Sequence, residues 1–324
     1  MTKAIRIHQT GGPEVLQWEN IEVGEPGSGQ VRLNQSACGL NYIDVYGRSG
    51  LYPVGDLPAV LGMEAAGVVA AVGTGVDQVT VGDRVAYPMH LGAYAEARLI
   101  DADKLVKIPD SISDETAAAM MLKGLTAHYL LHRTYAVQAG DDILVYAAAG
   151  GVGLILCQWA NLLGANVIGC VGSEEKAELA RANGCHHTIL YRDEDIASRV
   201  RELTDGKGAA VAYDAIGKAT FAASLDSLRP FGVLATYGNA SGPVEPFNPA
   251  ILAGKGSLYV TRPTLATHIS TRELLMQGAE RLIDVVAGGQ VRINVNQSLP
   301  LAECAEAHRQ LEARETTGST VLKI

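Results

Sequence analysis

The segment Ile143-Leu-Val-Tyr-Ala-Ala-Ala-Gly-Gly-Val-Gly153 decides the fold. Its apolar start predicts a buried strand, and the glycines predict a tight turn into a helix whose apolar positions begin at Leu154. Such a turn lets the backbone approach a dinucleotide pyrophosphate, which the free N–H groups of the helix N-terminus bind. In the register Gly-x-Gly-x-x-Gly the first glycine is replaced by Ala148, so the motif is incomplete. The segment nevertheless predicts a dinucleotide-binding domain.

The residues that follow favour NADP over NAD. Small residues, Gly172 and Ser173, occupy the end of the next strand-like run, and the cations Lys176 and Arg192 lie close by in sequence. A cation here suits the 2′-phosphate of NADP, whereas an acidic residue would bind the ribose 2′-hydroxyl of NAD. The pair Glu174–Glu175 argues for NAD, although acidic residues in a first helical turn also suit the helix dipole.

Composition excludes several functional classes. A length of 324 residues predicts about two domains. The net charge of −9, with no basic stripe, argues against nucleic-acid binding. Five scattered cysteines without a CxxC pair, and no signal-peptide pattern at the N-terminus, predict reduced thiols in a cytoplasmic protein. The charge-free stretch 143–173 has the length of a membrane span, but its glycines and polar residues favour strand, turn, helix and strand.

Two regimes of patterning divide the chain. Residues 1 to about 110 show short alternating segments separated by turn signals, which predict a barrel-like β domain. From Asp114 onward helices and strands alternate, which predicts an α/β fold with a doubly wound parallel sheet. The predicted elements of this second part are Glu115–Tyr135, Ile143–Tyr146, Leu154–Leu163, Asn166–Val171, Glu174–Ala182, Ala210–Asp214, Leu225–Leu228, Gly232–Tyr237, Thr271–Gly288, Asn294–Gln297, Leu301–Ala313 and Ser319–Ile324.

Two motifs in the first part of the chain, Gly62–Gly67 and Cys38–Asp44, resemble motifs of the medium-chain dehydrogenase/reductase superfamily. Gly62-Met-Glu-Ala-Ala-Gly67 is similar to its Gly-His-Glu-x-x-Gly signature, and Cys38-Gly-Leu-Asn-Tyr-Ile-Asp44 to the segment with a catalytic zinc cysteine in alcohol dehydrogenases. Met63 stands where the zinc histidine would be and Asn41 where the zinc cysteine would be. A zinc site needs three donors of cysteine, histidine or carboxylate type, and the four-cysteine structural lobe is also missing. We therefore expect no metal.

The segments 48–53, 122–127 and 256–263 resemble the NADPH:quinone oxidoreductases, one of the zinc-free branches, and the resemblance covers the whole chain. The resemblance rests on Arg48-Ser-Gly-Leu-Tyr-Pro53, Leu122-Lys-Gly-Leu-Thr-Ala127 and Gly256-Ser-Leu-Tyr-Val-Thr-Arg-Pro263. It implies a GroES-like catalytic domain at 1–124 and 263–324 and a Rossmann-type NADP-binding domain at 125–262. It also implies a homodimer, because the last strand of the parallel sheet, within Leu258–Thr261, could pair with its copy.

The resemblance also assigns roles to residues. A quinone accepts hydride easily, so the protein mainly has to position it and steady its oxygens. Tyr46 and Tyr52 are candidate donors for this, with Asn41 as a further hydrogen-bonding group. In the alternative interpretation, the two tyrosines are only aromatic walls of the pocket. The residues implied in NADPH binding are Asn41, Tyr42, Tyr46, Thr126, Tyr129, Gly150, Gly151, Val152, Gly153, Gly172, Ser173, Lys176, Tyr191, Gly238, Asn239, Arg262 and Arg314.

Two other functions stay open at this point. Related zinc-free branches reduce the carbon–carbon double bond of α,β-unsaturated carbonyls with much the same cofactor site. Other relatives resemble crystallins, so a non-catalytic NADPH-binding or RNA-binding protein is the third hypothesis. The acidic net charge argues against RNA binding. The polar side chains of Asn41, Tyr46 and Tyr52 argue for catalysis, so we expect a small-molecule substrate and neither a nucleic acid nor a membrane as partner.

Overall fold

The computed structural model describes residues 2–324, which divide into two compact units. Unit 1 comprises the residues up to 125 together with 269–287 and 293–324. Unit 2 comprises residues 126–268 and 288–292. The α/β fold class predicted from the sequence is confirmed, because the first unit is built mainly from antiparallel strands and the second from a parallel sheet.

The described residues form sixteen strands and ten α-helices. The strands are β1 (Thr2–Ile7), β2 (Gln17–Ile21), β3 (Gln30–Leu40), β4 (Ala59–Val60), β5 (Glu64–Val72), β6 (Arg84–Pro88), β7 (Ala97–Asp101), β8 (Val106–Lys107), β9 (Asp142–Tyr146), β10 (Asn166–Val171), β11 (His187–Leu190), β12 (Ala209–Asp214), β13 (Leu228–Thr236), β14 (Tyr259–Thr261), β15 (Val295–Pro300) and β16 (Ser319–Lys323). The helices are α1 (Tyr42–Ser49), α2 (Asp114–Tyr129), α3 (Gly151–Leu162), α4 (Glu174–Ala182), α5 (Ile196–Leu203), α6 (Phe221–Asp226), α7 (Ala250–Gly254), α8 (Leu265–His268), α9 (Arg272–Ala287) and α10 (Cys304–Glu312).

Unit 1 is organised around the long strand β3. Strand β3 pairs with β5, β7 and β16, and it lies within a seven-stranded sheet in which the order β15-β16-β3-β5-β6-β8 runs along one path. A second sheet has the order β2-β1-β4. Alternate residues of β3, among them Val31 and Leu33, are fully buried in the core. Since β3 leads directly into α1, it fixes the start of that helix at Asn41.

Unit 2 contains six parallel strands in the order β11-β10-β9-β12-β13-β14. Sequence order reverses between β9 and β12, which makes this the switch point of a doubly wound sheet. Residues Ile143 to Tyr146 of β9 and all of β12 are buried, as expected for strands covered on both faces. Ligands of such sheets bind outside the carboxyl ends of the strands near the switch point.

The charge-free stretch 143–173 forms β9, α3 and β10, as its glycines predict. Across residues 2–324, no helix combines the length and the apolar character that crossing a membrane requires.

The prediction of one helix from Glu115 to Tyr135 is wrong at its end. Helix α2 ends at Tyr129, and a π-helical turn covers Leu130–Thr134. The carbonyl of Leu130 accepts a hydrogen bond from the backbone N of Tyr135 at 3.2 Å and another from the hydroxyl of Tyr213 at 3.1 Å. This second donor comes from β12, so the sequence of the helix alone does not show it.

Candidate active site

The turn between β9 and α3 leaves no room for a side chain at its third glycine. A Cβ on Gly153 would lie 2.2 Å from the carbonyl oxygen of Ala147. Ala147 itself has a left-handed φ of 51°, which turns the chain sharply into the helix. Gly150 is the N-cap of α3, so the following residues present backbone N–H groups at a helix N-terminus. This is the strand, turn and helix that the sequence predicts, and such a terminus is suited to a phosphate.

Ala148, the residue that replaces the first motif glycine, is accommodated by a glycine on the neighbouring strand. A Cβ on Gly169 of β10 would lie 2.7 Å from the Cβ of Ala148. The space that a methyl group at position 169 would need is therefore occupied by the methyl group of Ala148 and by Cys185 Sγ, which would lie 2.6 Å away. The backbone of the turn keeps its conformation because Gly169, on the adjacent strand, leaves room for the methyl group of Ala148.

The carboxyl end of β10 brings together residues predicted to bind the adenosine 2′-phosphate. Ser173 is the N-cap of α4, and its hydroxyl accepts a hydrogen bond from the backbone N of Lys176 at 3.4 Å. A Cβ on Gly172 would lie 2.7 Å from the hydroxyl of Tyr191, so that hydroxyl lies directly over the glycine. The carboxylate of Glu174, which argues for NAD, is paired with the guanidinium of Arg181.

The end of β13 joins three further predicted residues. Arg262 Nη1 donates hydrogen bonds to the carbonyl oxygens of Thr236 at 2.7 Å and Gly238 at 3.1 Å, just before Asn239. A Cβ on Gly238 would lie 2.2 Å from the carbonyl oxygen of Ala215, so only glycine fits there. The guanidinium of Arg262 therefore holds the backbone that follows this strand.

Asp214, which the sequence analysis did not identify, supports the same region. Its carboxylate is fully buried at the end of β12 and accepts hydrogen bonds from the backbone N atoms of Ile216 at 2.7 Å and Gly217 at 3.1 Å. An acidic residue at the end of an apolar strand is the signal that could have identified it.

Tyr129 ends α2 with its ring stacked on an aromatic neighbour. The ring centroids of Tyr129 and His268 lie 4.3 Å apart and the planes differ by 3°. Burial raises the pKa of the Tyr129 hydroxyl, and the nearby charge of Arg262 acts in the opposite direction. Thr126, one turn earlier, is also buried. His268 is a neighbour that sequence reasoning missed, because no pattern links positions 129 and 268.

In unit 1, helix α1 carries an aromatic group. The ring centroids of Tyr46 and Tyr52 lie 5.2 Å apart, and those of Tyr42 and Tyr46 lie 6.1 Å apart. The Tyr42 hydroxyl donates to the carbonyl oxygen of Leu311 at 3.1 Å. Burial raises the pKa of Tyr42, although the charge of Arg314 acts in the opposite direction. The three predicted tyrosines are therefore adjacent, and Arg314 is an exposed residue with a left-handed φ of 61°.

Asn41, at the start of α1, is held by a buried ion pair. Asn41 Nδ2 donates to Glu64 Oε1 at 2.8 Å, and Lys123 Nζ donates to the same oxygen at 2.8 Å. Glu64 is fully buried and Lys123 is 5% exposed. The sequence analysis missed this pair. A lysine inside the otherwise apolar run 117–125 was the available signal, since buried charges need partners.

A second buried polar network lies behind α1. The hydroxyl of Tyr94 donates to Asp44 Oδ2 at 2.8 Å and lies 3.4 Å from His308 Nε2. Burial raises the pKa of Asp44 to about 7, against the effect of hydrogen bonds from Tyr94 and from the backbone of Asn41. Burial and the neighbouring charge of Arg48 lower the pKa of His308 to about 3.

The residues at the zinc-ligand positions of alcohol dehydrogenases do not fit a zinc ion. Asn41 and Met63 stand at these positions and offer no thiolate, imidazole or carboxylate. Cys38, three residues before Asn41, cannot replace them as a thiolate, because burial and the nearby Asp44 carboxylate raise its pKa and its Sγ donates to the Ala93 carbonyl at 2.7 Å. Asn41 directs its amide nitrogen toward Glu64. Within residues 2–324, no cluster of three or more His, Cys, Asp or Glu side chains could hold a metal ion.

Models of known protein families match residues in both units of the chain. The family model described as "Alcohol dehydrogenase GroES-like domain" matches residues 27–110, and the one described as "Zinc-binding dehydrogenase" matches residues 151–280. These two domain types in this order define a medium-chain dehydrogenase/reductase.

Relatives with high sequence identity show to which family of medium-chain dehydrogenases/reductases the chain belongs. A quinone oxidoreductase of Pseudomonas aeruginosa is 53% identical over 323 residues, 99% of each chain. The crystal structure of Escherichia coli quinone oxidoreductase complexed with NADPH is 46% identical, covers 100% of both chains and superposes with a TM-score of 0.98. A 2-haloacrylate reductase of a Burkholderia species is 49% identical over 329 residues, 99% of each chain. The chain belongs to the quinone oxidoreductase family.

Proposed function

We propose that this protein transfers a hydride from NADPH to quinones without a bound metal ion. The observation that carries the proposal is the full-length similarity to quinone oxidoreductases, one of them complexed with NADPH. The donor set around Asn41 agrees with it, because the residues at the zinc-ligand positions do not fit zinc. Unit 1 is then the GroES-like catalytic domain and unit 2 the NADP-binding domain. The units divide at 125/126 and 268/269, with 288–292 in unit 2, whereas the limits predicted from the sequence are 124/125 and 262/263.

Unit 2 supplies the residues that would hold NADPH. The backbone N–H groups of Gly151, Val152 and Gly153 at the start of α3 suit the pyrophosphate. The space above Gly153 is closed to any side chain, which favours close approach of a ligand to the backbone. The other proposed contacts in this unit are Thr126, Tyr129, Gly150, Gly172, Ser173, Lys176, Tyr191, Gly238, Asn239 and Arg262.

Lys176 is proposed to bind the adenosine 2′-phosphate. We expect Lys176→Ala to raise the Kd for NADPH about tenfold or more, because a charge-assisted hydrogen bond is lost, and to leave the Kd for NADH nearly unchanged. Fluorescence titration with both nucleotides measures this, and Lys207→Ala, a lysine outside the proposed site, is the matched control. An equal loss of affinity for NADPH and NADH would contradict the assignment.

Unit 1 supplies the residues that would receive the substrate. When bound, NADPH supplies the hydride, and the quinone also takes up one proton to give the hydroquinone. The rings of Tyr46 and Tyr52 offer an aromatic surface for a planar ring, and their hydroxyls are candidate donors to the quinone oxygens. Tyr42 borders the same group and Asn41 contributes an amide.

Reduction of an activated carbon–carbon double bond is the second candidate function. The 49% identity to a 2-haloacrylate reductase favours it specifically. Steady-state NADPH oxidation with 1,4-benzoquinone, 9,10-phenanthrenequinone, a 2-alkenal and 2-chloroacrylate, all in the presence of EDTA, separates the two. We expect the highest kcat/KM with a quinone. A higher kcat/KM with the alkenal or the acrylate would replace the first proposal by the second, and tight NADPH binding without turnover would favour a non-catalytic protein.

We further propose that the protein works as a cytoplasmic homodimer. All five cysteines are free thiols, which suits a reducing compartment. Strand β14 is the edge of the parallel sheet, and Tyr259 on it is 60% exposed. Pairing of this edge with its copy would cover an apolar strand that otherwise invites non-specific association.

A further inference from the structure

The ion pair of Glu64 and Lys123 plays no part in the function proposed so far. Both side chains are buried, and they belong to β5 and α2. A buried ion pair contributes little net stability over apolar residues of the same volume, so its presence calls for a reason other than stability. Asn41, a residue proposed to act in the site, donates a hydrogen bond to the Glu64 carboxylate.

Three donors converge on the two oxygens of Glu64. Oε1 accepts from Asn41 Nδ2 and from Lys123 Nζ, both at 2.8 Å, and Oε2 accepts from the backbone N of Leu122 at 2.7 Å. A carboxylate has acceptor sites on both oxygens, and the three donors use both of them. The fold makes room for it, because a Cβ on Gly39 would lie 2.2 Å from Oε1.

This arrangement fixes which way the Asn41 amide faces. Nδ2 donates to Glu64 Oε1 at 2.8 Å and to the carbonyl oxygen of Gly39 at 3.3 Å, which uses both of its hydrogens. The flipped amide would set Asn41 Oδ1 against the carboxylate oxygen, acceptor against acceptor. Asn41 therefore has no N–H left to give a ligand. Its carbonyl oxygen Oδ1 faces away from Glu64, forms a capping box with the backbone N of Asp44 and keeps a second lone pair for a ligand.

We propose that Glu64 and Lys123 are positioning residues that hold the Asn41 amide so that Oδ1 accepts a hydrogen bond from an N–H or O–H group of the bound NADPH. This rests on the proposed function. It changes the role of Asn41, which becomes an acceptor toward the cofactor and not a donor to the quinone oxygens. Lys123 Nζ holds Glu64 Oε1 in place by its hydrogen bond, and Glu64 in turn orients the amide.

A double-mutant cycle on NADPH binding tests the inference. Glu64→Gln supplies one oxygen and one NH2 group to the three donors, so at least one of their hydrogen bonds is lost. We expect Glu64→Gln and Asn41→Leu each to raise the Kd for NADPH about tenfold, the cost of one hydrogen bond involving a charged group. The combined variant should be no weaker than Asn41→Leu alone, because Glu64 acts through Asn41.

The control is another ion pair that involves α2. Arg84 of β6 donates to Asp114 of α2 at 2.6 Å. Asp114→Asn should change the Kd for NADPH by the same small factor with and without the Asn41 side chain. If Glu64→Gln raises the Kd by equal factors in both backgrounds, the pair is only structural and the inference is wrong.

A second variant covers the case in which Glu64→Gln fails to fold. Glu64→Gln combined with Lys123→Met removes both charges at similar volume, which buried pairs tolerate. We expect it to fold and to bind NADPH at least about twofold more weakly, since the glutamine can pair with either orientation of the Asn41 amide and only the competent orientation binds. Wild-type affinity in this variant would overturn the inference alone. A wild type that binds NADPH but reduces no acceptor would overturn the proposed function and leave this measurement valid, whereas one that binds no NADPH would overturn both.

Discussion

Two buried side chains of unit 1, Asp44 and His308, have opposite protonation preferences in the folded protein. The pKa of Asp44 is raised from 3.8 to about 7, and that of His308 is lowered from 6.5 to about 3. Between pH 4 and 6.5 the folded state therefore holds a proton on Asp44, whereas the unfolded state holds one on His308. Both states bind one proton at this pair of groups, so the contributions of the two groups to the pH dependence of unfolding cancel.

Substituting one of the two residues should make the contribution of the other to the pH dependence of unfolding measurable. In Asp44→Asn only His308 contributes, so the free energy of unfolding should fall, relative to wild type, by roughly 1.4 kcal/mol per pH unit as pH decreases from 6.5 to 4. In His308→Gln only Asp44 contributes, so the relative free energy should fall by a similar amount per unit as pH rises over the same window. Urea unfolding at several pH values measures both, and parallel curves for wild type and variants would contradict these pKa shifts.

The turn from β9 into α3 is the element on which NADPH binding is proposed to depend most. In Gly153→Ala the new methyl group would lie 2.2 Å from the Ala147 carbonyl, so the turn has to shift away from its bound geometry. We expect the Kd for NADPH to rise at least about tenfold and the protein to lose roughly 1–3 kcal/mol of stability through overpacking. Titration and thermal unfolding measure the two effects. The matched control is Gly254→Ala in α7, where a Cβ meets no atom within 4 Å and should leave NADPH binding unchanged.

Elements with a strong local pattern could be predicted, and contacts between distant segments could not. Strand β9, helix α3 and strand β10 follow from the apolar runs and glycines of 143–173. Helix α5, by contrast, was not predicted, and the π-helical turn after Tyr129 depends on a tyrosine of β12.

The residues of the candidate site likewise include some that the sequence predicts and others that it does not. The glycines of the α3 turn and the tyrosines of α1 were found because they lie in motifs. Glu64 and Lys123 are 59 positions apart, and His308 lies 214 positions from Tyr94, its neighbour across the buried network. Such partners are set by the pairing of strands and the packing of helices, so neither spacing nor composition reveals them.

For the whole molecule, the edge strand β14 gives the sharpest test of assembly. If β14 pairs with its copy, Tyr259→Lys places two charges in a buried interface and should convert the dimer into a monomer at micromolar concentration. Sedimentation equilibrium measures the mass, and Tyr259→Phe, which keeps the ring, should leave the dimer intact. A monomeric wild type, or a Tyr259→Lys variant that still dimerises, would contradict this mode of assembly.

The contact between Ala148 and Gly169 means that the two positions share one volume. A Cβ at position 169 would lie 2.7 Å from the methyl group of Ala148 and 2.6 Å from Cys185 Sγ, so a methyl group on the turn excludes one on the neighbouring strand. The two positions should therefore covary among relatives, with a small residue at one wherever the other is larger. Gly169→Ala should be poorly tolerated, and adding Ala148→Gly should relieve only part of the clash, because Cys185 Sγ would still lie 2.6 Å from the new Cβ. A sequence pattern that requires glycine at the first motif position would miss every chain in which a glycine on the adjacent strand leaves the space that the turn needs.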